Sequence, residues 1–598
     1  MLHATPRFAD CTRNFFCPRC RSPKFALFAC CAIAATAGYV RAEEDVLKLI
    51  PGNALGFVLI NRPAATDVKL QQLGRQLNLP IPSLLAQVEG SARIRDGLDE
   101  TRPIALLELP PKDNSAFPAV IALVPVSDYD KFLEQFNSKG TEAGVTKIEF
   151  WGQLSLVRKV GAYAAISGSS SREALEKDVK LVDQVPALVA PWRIWLAKKD
   201  VAAVVLAPGI RWLSAKAQQG VAFMKLALTQ ADDRTKQGLA TLETCAAFFQ
   251  AAVKEVTSYG LGVEQDAQGA VRIAGRACLV AGGKWSGLFA DAKPLPQNVL
   301  MGLPDGPFVV AGGGPLPKPI MQMLMDASFT PLRNMPGMYD LSKEQAKMLC
   351  EISAQKLQGV RGASFVLGAG PSGEPVFMRT LGILHVDDSE KFMAAYETYL
   401  AGRNRVAEKS TSSVYKPVQV EKTEIGGNRA LKLTTGAPEI PNLPAETAKL
   451  IKYMYGPGGK IVAWVVPCNE HMVVFSSMGQ DRLRRAIAAI IEGKQGLAGD
   501  TEIAKVAASL PLNGAWRLYV SPGGVCDLVK SVAAWALPPH NTMKIFEFCD
   551  APPIALAMAA GPDEVEAQVL VPVEVVKEIG RLTTIAATAP ATKDVPHR

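Results

Sequence analysis

Four times along the chain, an apolar strand-like run passes through a Pro/Gly turn into a stretch with helical spacing. The copies are LGFVLINRPAATDVKLQQL (55–73), VAAVVLAPGIRWLSAKA (201–217), PFVVAGGGPLPKPIMQML (307–324) and WRLYVSPGGVCDLVKSV (516–532). In the two middle copies a second helical pattern follows, over 234–256 and 341–357, and then a hairpin pattern. Those hairpins are YGLGVEQDAQGAVRIAGRACLV and ASFVLGAGPSGEPVFMRTLGIL, with Gln268-Gly269 and Ser372-Gly373 at their tips, where a turn needs residues that tolerate positive φ. The closing strand and helix of the unit also repeat. AVIALVPVSDYDKFLEQF (119–136) lies over RTLGILHVDDSEKFMAAY (379–396), matching Val126 with Val386, Asp128 with Asp388, Lys131 with Lys391, Phe132 with Phe392 and Phe136 with Tyr396. Ser127 and Asp387 are the expected N-caps, with Asp130 and Glu390 three residues later in an acidic variant of the capping box. Leu570-Val571-Pro572-Val573 before VVKEIGRL, and Arg276–Ala281 before Lys284-Trp285, are further copies.

The repeating unit is therefore β–α–(α)–β–β–α, present four times. Between the first and second units, and again between the third and fourth, lies a strand-rich insert. Residues 145–179 correspond to 419–432 plus 461–490, each insert being paired strands that run into a Ser-rich helix start. The second insert also holds GAPEIPNLPAE, whose prolines deny it a regular element. These patterns predict an α+β fold of two homologous halves, each with antiparallel strands and helices packed on one face. The predicted division is a signal peptide over 1–42, a first half over 43–298, a second over 299–585 and a disordered Ala/Thr/Pro-rich tail over 586–598.

Charge sharpens the reading of the N-terminus. The 598 residues carry 65 Lys and Arg against 57 Asp and Glu, but residues 1–42 hold six basic residues and one acid, leaving 59 against 56 elsewhere. A nucleic-acid binder would carry its basic excess in the folded part, so nucleic acid is not an expected partner. The uncharged run FALFACCAIAATAGYV (25–40), preceded by basic residues and followed by Arg41-Ala42 and Glu43-Glu44-Asp45, matches a secretory signal cut between Ala42 and Glu43. The run falls short of the ~20 residues that cross a bilayer, so an anchor formed by 25–40 is the alternative. Localisation is expected to be periplasmic, in the cell envelope, or secreted.

Candidate chemistry is sparse. Cys17-Pro-Arg-Cys20 has the spacing of half a zinc ribbon without a second pair, and Leu27–Cys30 is a poor lipidation box because Phe28 is bulky. Six cysteines follow the signal: Cys245, Cys278, Cys350, Cys468, Cys526 and Cys549. They are too few for a disulfide scaffold, and the sequence cannot pair them. Cys245 shares a helical stripe with Leu239, Leu242, Phe249, Val253 and Val256, and Cys350 one with Ala346, Leu349 and Leu357, so both read as small buried hydrophobes. His385 and His471 align with Pro125 and the neighbourhood of Ala162, His540 follows two prolines, and His597 lies in the tail. There is no HExxH, GxSxG or phosphate-loop motif, and Gly456–Lys460 reads as a turn. Gly312–Gly314 and Pro522–Gly524 could offer backbone N–H groups to an anion, but a tight strand-to-helix turn accounts for them. Cys526 sits at a helix start without a nearby histidine. Ser167–Ser171 and Ser476-Ser477 read as helix caps, and Asp387-Asp388 as a favourable charge on a helix dipole. No catalytic, cofactor-binding or metal-binding residue is therefore expected, and no cofactor.

An export signal followed by a strand of the type LIPGNALGFVLINRP and a duplicated α+β body resembles large exported bacterial proteins known only as domains of unknown function. That resemblance brings no catalytic residues with it. The leading expectation is a non-enzymatic binding or scaffolding protein with an envelope protein or polymer as partner. Its rivals are a hydrolase-type enzyme with a site between the halves, and a membrane-anchored assembly factor. An enzyme would place polar residues of perturbed pKa in a deep cleft of one copy only.

Overall fold

The computed structural model describes residues 44–92, 94, 96–111, 117–150, 152–228, 250, 253–290, 298–318, 320–322, 325, 341–368, 375–409, 416–436, 454, 460–510, 516–536 and 551–588. Among the described residues, ten strands lie before residue 280: β1 (Gly56–Ile60), β2 (Ile104–Leu109), β3 (Ala119–Pro125), β4 (Thr141–Glu142), β5 (Val145–Phe150), β6 (Gln153–Val160), β7 (Tyr163–Gly168), β8 (Val201–Val205), β9 (Val256–Gln265) and β10 (Val271–Leu279). Ten follow residue 307: β11 (Phe308–Pro315), β12 (Val360–Gly368), β13 (Thr380–Val386), β14 (Gln419–Ile425), β15 (Asn428–Gly436), β16 (Lys460–Asn469), β17 (Met472–Ser476), β18 (Trp516–Val520), β19 (Ile554–Ala560) and β20 (Glu564–Val571).

All twenty join one antiparallel sheet. From one edge the order is β4-β5-β6-β7-β3-β2-β1-β8-β9-β10. It continues through the β10–β20 pairing into β20-β19-β18-β11-β12-β13-β17-β16-β15-β14. Read outward from β10 and from β20, the two series are the same when ten is added to each number. At this midline Arg276 pairs with Glu564 and lies 5.4 Å from the Trp192 ring centroid, while Trp195 Nε1 donates to Glu566 Oε1 at 3.2 Å.

Alternation along the strands separates two buried faces. On one face Leu59, Leu107, Leu123, Ala202 and Val204 pack with Leu47, Leu175, Trp192 and Trp195. The small elements that bring those last four are α1 (Glu44–Leu47), α5 (Arg172–Lys177), a 3₁₀ turn (Ala190–Trp192) and α6 (Arg193–Leu196). The opposite face packs Ile60 and Val201 with Leu70 of α2 (Pro63–Leu77) and Leu84 of α3 (Leu84–Ala92). It also packs Val124, Ala164 and Ile166 with Phe132 of α4 (Tyr129–Glu134). The expectation of helices on one face is thus corrected: α2, α3 and α4 take one face, and α1, α5, the 3₁₀ turn and α6 cover the other. Neither row of alternating apolar residues could otherwise leave water. The same division holds beyond β10. Val386, Val465 and Val473 pack with Phe392 and Leu400 of α10 (Ser389–Glu408), while Ile383, Val466 and Val474 pack with Leu483 of α11 (Gln480–Ile491) and Ile503 of α12 (Thr501–Ala508).

The remaining helices are α7 (Ala207–Leu228), α8 (Lys284–Ala290), α9 (Lys343–Lys356), α13 (Pro522–Ala536) and α14 (Val573–Thr588). Helices α9 and α13 match their sequence patterns, and Ala346, Leu349 and Cys350 are buried as the stripe predicts. Over β9 and β10 the coverage thins. Tyr259, Leu261 and Ile273 share a face across these strands and are 43%, 56% and 38% exposed.

Three local expectations are corrected. The N-caps are Asp128 and Asp388, one residue after Ser127 and Asp387: their carboxylates accept from Lys131 N and Lys391 N, while Ser127 N and Asp387 N donate to the carbonyls of Gly97 and Gly359. Gly312–Gly314 lie within β11 rather than in a turn, where a Cβ on Gly312 or Gly313 would collide with the Arg517 or Ala363 carbonyl oxygen. Ser171 precedes α5 without a side-chain cap bond, and α11 is preceded by Gly479. Ser476 instead donates to Thr380 O at 2.9 Å and accepts from Met478 N. The close approach argued for the Pro/Gly turns does hold at Gly209 and Gly524, where a Cβ would strike the backbone entering the neighbouring strand, at Leu55 O and Phe308 O.

Candidate functional site

The titratable residues singled out from sequence are scattered. His385 lies in β13 with Nε2 3.2 Å from Ser364 Oγ, and burial lowers its pKa. His471 occupies the β16–β17 turn with Nδ1 3.0 Å from Asp387 O. Cys278, Cys350, Cys468 and Cys526 are free thiols, and burial pushes Cys468 up to about 12. Cys526 lies in the first turn of α13. Cys245, Cys549, His540, His597, Ser372-Gly373, Gly456–Gly459, Ala42 and Glu43 lie outside the described residues, as does nearly all of the 234–256 helix pattern. Among the described residues no group of three or more His, Cys, Asp and Glu is placed to hold a metal.

Sequence reasoning missed the densest polar cluster, which lies under α2. The turn Asn61-Arg62-Pro63 links β1 to this helix, with Arg62 in the left-handed region at φ +45°. Asn61 ties the turn to the far side of the sheet end: its N donates to Asp200 O at 2.8 Å, and its Nδ2 to Leu196 O at 2.8 Å and Lys199 O at 2.5 Å. Thr66 Oγ1 donates to Asn61 O at 2.6 Å. One turn further on, Lys69 Nζ meets Asp200 Oδ1 at 2.6 Å, with side chains 2% and 4% exposed. Asp67, also buried, accepts from Ser83 Oγ at 2.8 Å and Leu84 N at 2.5 Å, so it fixes the start of α3. Beyond Asp200 the charges continue through Lys199–Glu264 and Arg272–Glu264, both 3.3 Å, and Arg272–Asp266 at 3.4 Å.

Burial pushes Lys69 down to about 8 and Asp200 up to about 6, against the pull of their mutual charge. Those values suit proton transfer near neutrality, but both groups are sealed from solvent, so a substrate has no route to them. The arrangement pins α2 to the end of β8. A signal existed in the sequence: Thr66, Lys69, Leu70 and Leu73 share the helix's inward face, and a lysine on an apolar stripe requires a buried partner.

Two corners at the C-terminal ends of β3 and β13 share one backbone frame. Gly97 and Gly359 adopt φ +79° and +81°, and their carbonyls accept from Ser127 N and Asp387 N, each at 2.8 Å. Val126 N and Val386 N each donate, at 2.9 Å, to the carbonyl of the turn residue before β7 or β17, which is Ala162 or His471. The first corner opens as a cavity of about 290 Å³ lined by Asp99, Arg102, Ser127, Tyr129, Lys159 and Ala162, among others. There Arg102 Nε pairs with Asp99 Oδ2 at 3.0 Å, and Lys159 Nζ lies 5.5 Å from the Tyr129 ring centroid. Burial, with Asp130 nearby, raises the Tyr129 hydroxyl to about 12. At the second corner His471 reaches Asp387 O and Arg361 pairs with the Asp387 carboxylate.

No protein-family model, no curated protein and no solved structure matches this chain.

Proposed function

We propose that this is an exported, non-enzymatic binding or scaffolding protein built from two duplicated halves. The observation that carries the reading is the strand order, which runs identically outward from β10 and from β20 and makes one uninterrupted sheet. Duplication is supported by the paired glycine corners, the Asp128 and Asp388 caps, and Phe132 and Phe392, each buried under its helix. Scaffolding is supported by the sealing of Lys69 and Asp200, which gives that pair a packing role. Binding is supported by the adjacent exposed side chains Tyr259, Leu261 and Ile273 on central strands, since contiguous exposed apolar surface marks interaction sites. The export signal cut after Ala42 belongs to the same proposal.

The test is purification of the full-length gene product from its own envelope fraction after crosslinking, beside Leu261→Glu and Lys69→Met/Asp200→Leu. The expected result is a first residue of Glu43 and a stoichiometric partner that is lost with Leu261→Glu and kept with the double variant. Turnover of ester, glycoside or phosphoester substrates by the wild type, abolished in the double variant, would overturn the reading. So would a first residue within or before 25–40, which would leave the anchored assembly factor.

A further inference from the structure

The two ends of the sheet are finished differently. At the first end the chain doubles back on β5: Lys139 N donates to Lys147 O at 2.8 Å, Lys147 N donates to Gly140 O at 3.0 Å, and Thr141 and Glu142 pair with Thr146 and Val145. The outermost strand there, β4, is two residues long, too short to template another chain. Arg172 of α5 holds it through Glu142 at 2.9 Å. At the other end β14 pairs with β15 over seven residues without a register shift, and it contains no proline. An antiparallel strand turns every second residue's N–H and C=O away from its neighbour, so β14 offers a row of backbone groups along its outer edge. No backbone hydrogen bond reaches that edge among the described residues, and five of the seven residues are exposed.

We propose that β14 pairs antiparallel with β14 of a second copy of this chain, about a twofold axis through Thr423, so that two sheets join into one. Such an axis stands perpendicular to the sheet and keeps each face on its own side, so a residue can face only residues of the same parity. With Thr423 opposite Thr423, Lys422 stands opposite the second copy's Glu424, and Glu424 opposite the second copy's Lys422. The order Lys-Thr-Glu is therefore its own complement, and opposite charges facing across an antiparallel pair stabilise it. Centring the pair on Glu421, Lys422 or Glu424 would instead set like charges together. Glu424 is exposed and holds no ion pair among the described residues, while Lys422 is 74% exposed beside Glu397 at 2.7 Å. The other charges at this edge are matched within the chain, Glu421 by Lys432 at 2.8 Å and Arg429 by Glu390 at 2.5 Å. The midline shows the same solution inside one chain: β10 and β20, which hold the same place in the two series, pair antiparallel with Ala274 opposite Gln568. The edge is separate from the β9–β10 face, and the proposal stands apart from the partner-binding reading.

Sedimentation equilibrium of the full chain, over concentrations of about 1 to 100 μM, tests it. A dimer with a dissociation constant on the order of 10 μM or tighter is expected. Lys422→Glu and Glu424→Lys each set two like-charge pairs across the axis and should weaken the dimer at least about ten-fold. Lys422→Glu/Glu424→Lys restores opposite charges and should recover most of that loss, which a local change at one protomer's surface would not do. Leu261→Glu should leave the dimer unchanged. A monomer across the whole range would overturn the proposal. So would an unweakened dimer in either single variant, a double variant no tighter than the single ones, or a dimer lost with Leu261→Glu. Both charged side chains are exposed, so the variants report on association rather than folding.

Discussion

The helices that follow β3 and β13 start alike and end differently. Both begin at an aspartate whose carboxylate accepts from the backbone three residues on, and both bury a phenylalanine at the fourth position after that cap. Helix α4 then stops at Glu134, six residues long, where Asn137-Ser138-Lys139-Gly140 supplies turn formers and Gly140 takes φ +103°. Helix α10 runs for 20 residues, because Ala394-Ala395-Tyr396-Glu397 and its continuation favour the helix and Val406 finds a cluster with Leu341, Ala346, Leu349 and Cys350 to pack into. The start of such a helix is set by the sheet it caps. Its length is set by local sequence and by what its far end can bury. The corners teach the same lesson at smaller scale: the frame persists while the side chains filling it diverge.

A second contrast sets the sealed Lys69–Asp200 pair against exposed ion pairs such as Arg484–Asp481. Lys69→Met should cost about 3–5 kcal/mol, because it strands a buried carboxylate, and Lys69→Met/Asp200→Leu should recover most of that loss. Urea denaturation of both variants checks this. A double variant as weak as the single one would mean that the charges, rather than their packing, hold α2.

Phe132→Ala and Phe392→Ala test the shared anchor. Each should lose about 3–5 kcal/mol in the same measurement, and a value below about 1 kcal/mol at Phe392 would show that the long tail of α10 has taken over from the anchor. At the caps, Asp128→Ala and Asp388→Ala should each cost about 0.5–2 kcal/mol, and Ser127→Ala less than about 0.5 kcal/mol. A larger loss at Ser127 would return the cap to that residue.

The smallest effect is a pH signature of the buried pair. In the folded chain Asp200 takes its proton near pH 6, but when unfolded only near 3.8, so the folded state binds more protons between these values and gains stability as pH falls. Lys69 loses its proton near pH 8 when folded and near 10.5 when unfolded, so stability rises with pH across that window. The stability of wild type relative to the double variant should therefore be lowest between pH 6 and 8 and higher on either side, as read from urea melts at pH values of about 5, 7 and 9. A flat difference would mean that neither group is shifted.

Much of the secondary structure was legible because its signals are local. The run LGFVLI became β1, and the alternation around Gln268-Gly269 became the β9–β10 hairpin, with Gly269 at φ +99° and Asp266 Oδ1 accepting from three successive N–H groups. Capping was legible to within one residue. It slipped by one because Ser, Asp and their neighbours are all good caps, and the choice of Asp128 and Asp388 follows from where the chain leaves the sheet, with Ser127 N and Asp387 N held to glycines about 30 residues upstream. Of the two places argued as sites, neither was read. Lys69 shares the apolar stripe of Thr66, Leu70 and Leu73, which calls for a buried partner without naming Asp200, 131 residues on, and Arg102, Tyr129 and Lys159 are separated by loops that reveal nothing of their meeting.

By itself, the amino-acid pattern determined much of which segments extend or coil and many of the turns between them. Hydrophobic period and turn chemistry act over a few residues, so the chain carries them openly. Only the folded molecule decided that β10 would pair with β20 and join every strand into one sheet, that both faces would be covered, and that Lys69 would find Asp200. Backbone hydrogen bonds are alike at every strand edge, so the choice among partners belongs to side-chain packing between segments far apart in sequence.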